Sequence, residues 1–183
     1  MLNIFRVVIY MQIFLCYIPQ YFFALQMRSD GKSSNRYDQF HPTGRVLQLD
    51  YAMEAVTRKG GPITAIRCTD GIILVVARVL PRSSLQLQSD RKVFFVNKHI
   101  CIAVTGLVFD ANALIDFIKK KCVDYEVTYG SVIPVEVLCD DVSNVLHSMT
   151  LKADSRPLAV SLVVAGIDSI LGPQVYAIDT AGM

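Results

Sequence analysis

Residues able to do chemistry are thinly spread along this 183-residue chain. Its three histidines, His41, His99 and His147, lie far apart with no metal-ligand pattern beside them, so each is expected to be structural or superficial rather than ligating. The five cysteines, Cys16, Cys68, Cys101, Cys122 and Cys139, form an odd set without CxxC spacing. At least three sit in apolar periodic segments, where a thiol packs as a small hydrophobe, and the set suits a reducing compartment. Asp110 and Asp116 fall on one helical segment but too far apart in turn to face each other as a carboxylate pair, so both are read as solvated helix charges. Arg156-Pro157 reads as the lead-in to a strand. Thr64 carries a hydroxyl, but it follows Ile63 inside a strand and has no free amine unless the chain is cut there. Lys92, taken alone, is a solvated lysine at a strand end. No glycine-rich phosphate loop and no metal cluster is present, and no cofactor is expected.

The elements that would position these residues must come from a chain that is 52% apolar, enough for one domain burying roughly two-thirds of its unfolded surface. A formal charge of +2, with Lys and Arg scattered rather than aligned, leaves no electrostatic footprint for nucleic acid. Residues 1–26, "MLNIFRVVIYMQIFLCYIPQYFFALQ", carry one charge, Arg6. They read as a signal-like segment, with Val7 to Ile18 as its apolar centre, as the product of a misplaced start, or as a packed extension. Pro19 interrupts the run short of the about 20 residues a bilayer span needs, which argues against a membrane partner. A polar tail, 27–39, follows abruptly with "MRSDGKSSNR", and the domain proper is expected over 40–183.

Within "GRVLQLDYAMEAVTR" the apolar Val46, Leu49, Met53 and Val56 recur at helical spacing, so a short amphipathic helix is expected. "GGPITAIRC" marks a Gly/Pro break and a strand. After Thr69-Asp70-Gly71, "IILVVA" is a continuous apolar run, as for a strand buried on both faces. "KVFFV" and "HICIAVTG" are two further strands turning at Asn97-Lys98. Leu107, Ala111, Leu114, Ile115, Ile118 and Cys122 line a helix ending in the basic run Lys119 to Lys121. Pro134 opens a second helix faced by Leu138, Val142, Val145, Leu146 and Met149. "LAVSLVVAGID" and "QVYAID" are strands flanking a turn at Gly172-Pro173. Two helices cover one face of a sheet, yet "IILVVA" and "LVVAG" call for cover on both, so a second sheet is expected behind the first.

The segment "FHPTGRVLQLDYAMEAV" resembles the N-terminal signature of proteasome alpha-type subunits, F-S-P-x-G-R-L-x-Q-V-E-Y-A-x-x-A-V. The likeness continues through "DGIILVV", "TGLVFDANALIDF", "VTYGS", "RPLAVSLVVAGID" and "GPQVYAIDTAG", covering nearly everything from Phe40 onward. It implies the four-layer α-β-β-α sandwich (α+β class) of the N-terminal-nucleophile hydrolases. "IPVEVLC", "RPLAV" and "GPQVY" lean toward the alpha type-6 chain, whereas "VTYGS" and "TGLV" are equally like archaeal members. In the family the opening helix packs against neighbouring alpha subunits of a seven-membered ring. The resemblance therefore implies an assembly surface built from Gly44, Arg45, Val46, Gln48, Leu49, Asp50, Tyr51, Met53 and Val56. It also implies beta-ring subunits and the C-terminal tails of a regulatory particle or activator as partners, a role in substrate gating and ubiquitin-dependent degradation, and a place in cytoplasm and nucleus. Three departures stand out. Tyr37-Asp38 come only two residues before Phe40 and lack a following Arg, which bears on gating. His41 replaces the usual Ser. The chain ends at Met183 where the family continues, so the C-terminal part of the sandwich is expected to be missing.

Catalytic beta relatives use an N-terminal Thr whose own amine is the base, helped by a Lys and an acidic residue. Carried over by resemblance, the nucleophile position falls at Gly61, the acidic position at Ala77 and the lysine at Lys92. No catalytic residue is therefore expected. In the family a lysine at this position lines a pocket between adjacent alpha subunits that receives an activator tail, which implies Lys92, Gly60 and Leu107 as pocket residues. Two competing readings are a divergent beta-type threonine protease, opposed by Gly61 and Ala77, and a truncated product that does not assemble.

Overall fold

The structure, a computed structural model, describes residues 40–77 and 92–183. The 1–26 and 27–39 segments, and Cys16 with them, lie outside the described residues. Among the described residues nine elements follow in the expected order: α1 (Leu47–Lys59), β1 (Ile63–Arg67), β2 (Ile72–Val76), β3 (Val93–Phe95), β4 (Ile100–Gly106), α2 (Val108–Tyr129), α3 (Val135–Thr150), β5 (Val160–Asp168) and β6 (Gly172–Ile178). All pairings are antiparallel, giving a two-stranded sheet β1-β2 and a four-stranded sheet β3-β4-β5-β6.

Alternation along the strands sorts the core into layers. Ile100, Ile102 and Val104 of β4, with Val160, Leu162 and Val164 of β5, join one buried cluster with Leu114, Ile115 and Ile118 of α2 and Leu138, Val142 and Leu146 of α3. That is the α layer on the four-stranded sheet. The other face of this sheet, with Thr105, Ser161, Val163 and Ala177, lines an open cleft of about 390 Å³ whose far wall is Gly61, Pro62 and Ile63. The α+β sandwich expected from the sequence is thus present as helices, sheet and second sheet.

Several elements differ from their sequence reading. β2 is not buried on both faces: Ile73 and Val75, with Ile66 of β1, are 50%, 41% and 53% exposed, so the outer face of the small sheet is bare and aliphatic. In α1 the buried position is Ala52, with Leu49 and Val56 half-buried, while Met53 points outward; a small residue lets the helix lie close to β4 and β5. α2 runs past the lysine run to Tyr129, because Cys122 continues its buried stripe and Gly130, at φ 67°, supplies the left-handed stop. Pro134 caps α3 from outside, at the position before its first helical residue. Gly172 and Pro173 belong to β6 itself, where an edge strand tolerates a residue without an N–H.

Candidate functional site

The C-terminal end of β4 gathers the residues singled out in the sequence. α1 ends at Gly60, whose N–H donates to Val56 O at 2.7 Å. A Cβ at Gly60 would fall 2.0 Å from Thr105 Oγ1 and 3.3 Å from Gly106 N, so glycine is what lets the end of α1 sit against β4. Thr105 Oγ1 donates to Gly61 O at 3.1 Å and fixes the next residue. Lys92 reaches the same place from the lead-in to β3. Its carbonyl accepts from Val104 N–H at 2.8 Å, and its ammonium donates to Ala77 O at 3.0 Å. A Cβ at Gly61 would lie 3.1 Å from Lys92 Nζ and 3.6 Å from Ala77 Cβ.

Gly61, Ala77 and Lys92 therefore converge on one point, although the first two are far from Lys92 in sequence. Neither Gly61 nor Ala77 offers a hydroxyl or a carboxylate there, and Thr64 is internal to β1. The cleft beside Gly61 holds hydroxyls and a carboxylate of its own: Ser161 Oγ donates to Asp179 Oδ1 at 2.8 Å, and Thr180 N–H donates to the same oxygen at 2.7 Å. Among the described residues that line the cleft, no imidazole or amine accompanies this hydroxyl–carboxylate pair as the base that would activate the hydroxyl.

Leu107 stands at the N-cap of α2, directly after Gly106. Its N–H donates to Ala159 O at 2.9 Å. Gly106 has φ 120°, and a Cβ on it would meet Ala159 O at 2.2 Å, so this corner too requires glycine. The structure thus brings Gly60 and Leu107 to either side of the Thr105–Gly106 corner, with Lys92 beside Gly61 next to Gly60.

Asp110 corrects its sequence reading as a solvated charge: it is 7% exposed. Its carboxylate accepts both guanidinium arms of Arg156 at 2.7 Å each and Ala159 N–H at 3.0 Å. Burial raises its pKa, but the Arg156 hydrogen bonds, the Ala159 N–H and the Arg156 charge outweigh this and hold it below the ordinary value. Asp116 is exposed, as expected. The pairing was hidden because its partners are 46 positions apart; the signal available was an Asp in the first turn of a helix and an Arg immediately before a Pro. Thr105 leaves no local sequence signal for the same reason, since its partner Gly61 is 44 positions away.

The surface implied by resemblance for ring contacts spreads along the loop before α1 and along α1 itself. Gly44, Arg45, Tyr51 and Met53 are exposed, and Val46, Gln48, Leu49, Asp50 and Val56 are half-buried. Among the other reactive groups, His41 bonds Thr43 at the surface and His99 Nε2 contacts Ile133 O at 2.9 Å. Cys101, Cys122 and Cys139 are buried free thiols.

Comparison with known proteins supplies the family. The profile described as "Proteasome subunit" matches residues 57–183, more than half of the chain. The chain belongs to the proteasome subunit family. The relatives described next carry alpha-subunit names. Proteasome subunit alpha type-3 of Drosophila melanogaster is 35% identical over 144 residues, covering 79% of this chain and 56% of the relative. The alpha type-3 subunit of Dictyostelium discoideum is 33% identical over 157 residues, 85% of this chain and 62% of the relative. Proteasome subunit alpha of the archaeon Methanocaldococcus jannaschii is 38% identical over 129 residues, 70% of this chain and 49% of the relative. These names correct the lean to alpha type-6, since the eukaryotic relatives described here are type-3. The chain spans roughly half to three-fifths of the length of these proteasome relatives.

Proposed function

We propose that this chain is a noncatalytic alpha-type subunit of a 20S proteasome core. In this reading it takes a place in the outer seven-membered ring, contacts neighbouring alpha subunits and the beta ring, and takes part in gating and in docking regulators for ubiquitin-dependent degradation in cytoplasm and nucleus. One observation carries it: at the point where Lys92 Nζ approaches Ala77 O and Gly61, both neighbours lack the side chains that a threonine-protease mechanism needs. The three relatives described above, each named as an alpha subunit, support the same reading. Among them the type-3 names favour that position in a eukaryotic ring.

Lys92, Gly60 and Leu107 are proposed as the wall of a pocket for an activator tail, with the Lys92 ammonium receiving the tail carboxylate. A lysine ammonium has three donors, and the bond to Ala77 O uses one. The outward positions of Tyr51 and Met53 on α1 suit a helix divided between its own domain and a neighbour.

The test is co-expression of the full chain with alpha and beta partner subunits, followed by native mass spectrometry and epoxyketone labelling. The expected result is incorporation into rings with labelling confined to beta subunits. An epoxyketone adduct on this chain would overturn the noncatalytic assignment, and persistent exclusion from rings would favour a non-assembling product.

A further inference from the structure

The Asp110–Arg156 pair lies at the very corner that carries Leu107. Asp110 sits in the first turn of α2, and its buried carboxylate closes a bidentate pair with Arg156, which is 49% exposed on its side chain. The same carboxylate takes Ala159 N–H, and Ala159 O takes Leu107 N–H. Both backbone groups of Ala159 are therefore committed, one to Asp110 and one to Leu107. Arg156 also donates to Pro157 O at 3.1 Å, which sets the direction of the chain into β5. Across the corner, a Cβ on Gly106 would clash with Ala159 O, and one on Gly60 would meet Thr105 Oγ1 and Gly106 N, so both corners leave room only for glycine. A continuous set of contacts runs from the Arg156 guanidinium to the end of α1.

We propose that Asp110 and Arg156 are positioning residues for the tail pocket: their bidentate pair holds Ala159, and through it the Leu107 corner, at the distance from Gly60 and Lys92 that a tail requires. The inference rests on the reading of Lys92, Gly60 and Leu107 as pocket residues. Its physical basis is geometric. Ala159 is gripped between two partners, and releasing one lets the 156–159 segment shift against glycine corners that have no slack. A binding site loosened by about 1 Å loses much of its affinity even when every contacting residue is retained.

The experiment uses rings assembled with the full chain and measures binding of a synthetic peptide ending in a free carboxylate, with its C-terminal amide as control. Lys92→Ala, Leu107→Ala, Asp110→Asn and Arg156→Gln are compared, together with Arg156→Lys and the Asp110→Asn/Leu107→Ala double variant. Asp110→Asn and Arg156→Gln are each expected to weaken the free-carboxylate peptide about five- to tenfold, with Arg156→Lys recovering part of the loss. The double variant should bind more tightly than the product of the single effects, since coupled residues are non-additive. The preference for carboxylate over amide should survive in the Asp110 and Arg156 variants and vanish in Lys92→Ala. Should Asp110→Asn fail to assemble, Arg156→Gln, altered on the exposed side of the pair, and an Arg156→Gln/Leu107→Ala cycle carry the test. Normal binding in Lys92→Ala rings overturns the pocket reading itself. A loss in Lys92→Ala with normal binding in Arg156→Gln, or with strictly additive effects, leaves the pocket standing and overturns the positioning role.

Discussion

Lys92 is where family resemblance and geometry meet most closely. If its ammonium receives a tail carboxylate, a charge-assisted hydrogen bond contributes about 1.5–3 kcal/mol net, or roughly ten- to more than a hundredfold in affinity. Lys92→Ala is expected to weaken carboxylate-tail binding by that factor with ring assembly unchanged, and the loss should shrink at high salt; equilibrium binding at two ionic strengths checks both. The buried thiols give a second residue-scale prediction. Burial pushes Cys101 up from 9.0 to about 11, and burial followed by nearby acidic groups pushes Cys122 to about 11 and Cys139 to about 12. These thiols stay protonated at neutral pH, so iodoacetamide should label exposed Cys68 in the native chain and reach the three only after unfolding, as peptide mass spectrometry would record. Above about pH 9 the unfolded thiols lose protons that the folded ones keep, so denaturation midpoints should fall as pH rises from about 9 toward 11 and 12. Asp110 works the other way: its folded pKa is depressed, so the stability it contributes is present above its unfolded value of 3.8 and is lost as pH falls through the lower folded value.

Among the elements, the corners say most about sequence and fold. Gly106 combines φ 120° with a Cβ position 2.2 Å from Ala159 O. Gly106→Ala should therefore cost about 1–3 kcal/mol from backbone strain alone, with displacement of Ala159 adding to it; chemical denaturation would show a lower midpoint with little change in slope. The order of strands and helices was legible because period-two and period-3.6 patterns survive in a single sequence, as in Leu114, Ile115 and Ile118 facing the sheet. The extent of α2 was not, because Lys119 to Lys121 looks like a helix end whereas the stop is set by Gly130. The placement of Met53 was not, because spacing alone cannot distinguish it from Ala52 when the criterion is closeness to another element. Of the candidate site, Gly60, Lys92 and Leu107 came from resemblance and the structure brings them to one corner. Asp110 and Arg156 could not be read, since a salt bridge between positions 46 apart leaves no local periodicity.

At the scale of the whole molecule, the bare outer face of β1 and β2 dominates behaviour. Ile66, Ile73 and Val75 form an aliphatic patch on a two-stranded sheet, a unit that is marginal on its own. The isolated chain is expected to bind a hydrophobic dye and to self-associate, and both should diminish in an Ile66→Thr/Ile73→Thr variant; dye fluorescence and light scattering are the measurements. A dye-silent monomer that unfolds cooperatively would show that this face is covered. Self-association should also have a direction, and Pro173 sets it. Ile167 N–H points to His99 O on the β4 side, so Ile167 and Pro173 form a non-hydrogen-bonded pair and the main-chain groups of Pro173 face away from β5. At that rung the outer rim of β6 offers no donor to an arriving strand. Pro173 thus acts as a ratchet pawl against templated fibre growth from this rim, and Pro173→Val should shorten the lag of fibre formation by supplying the missing donor.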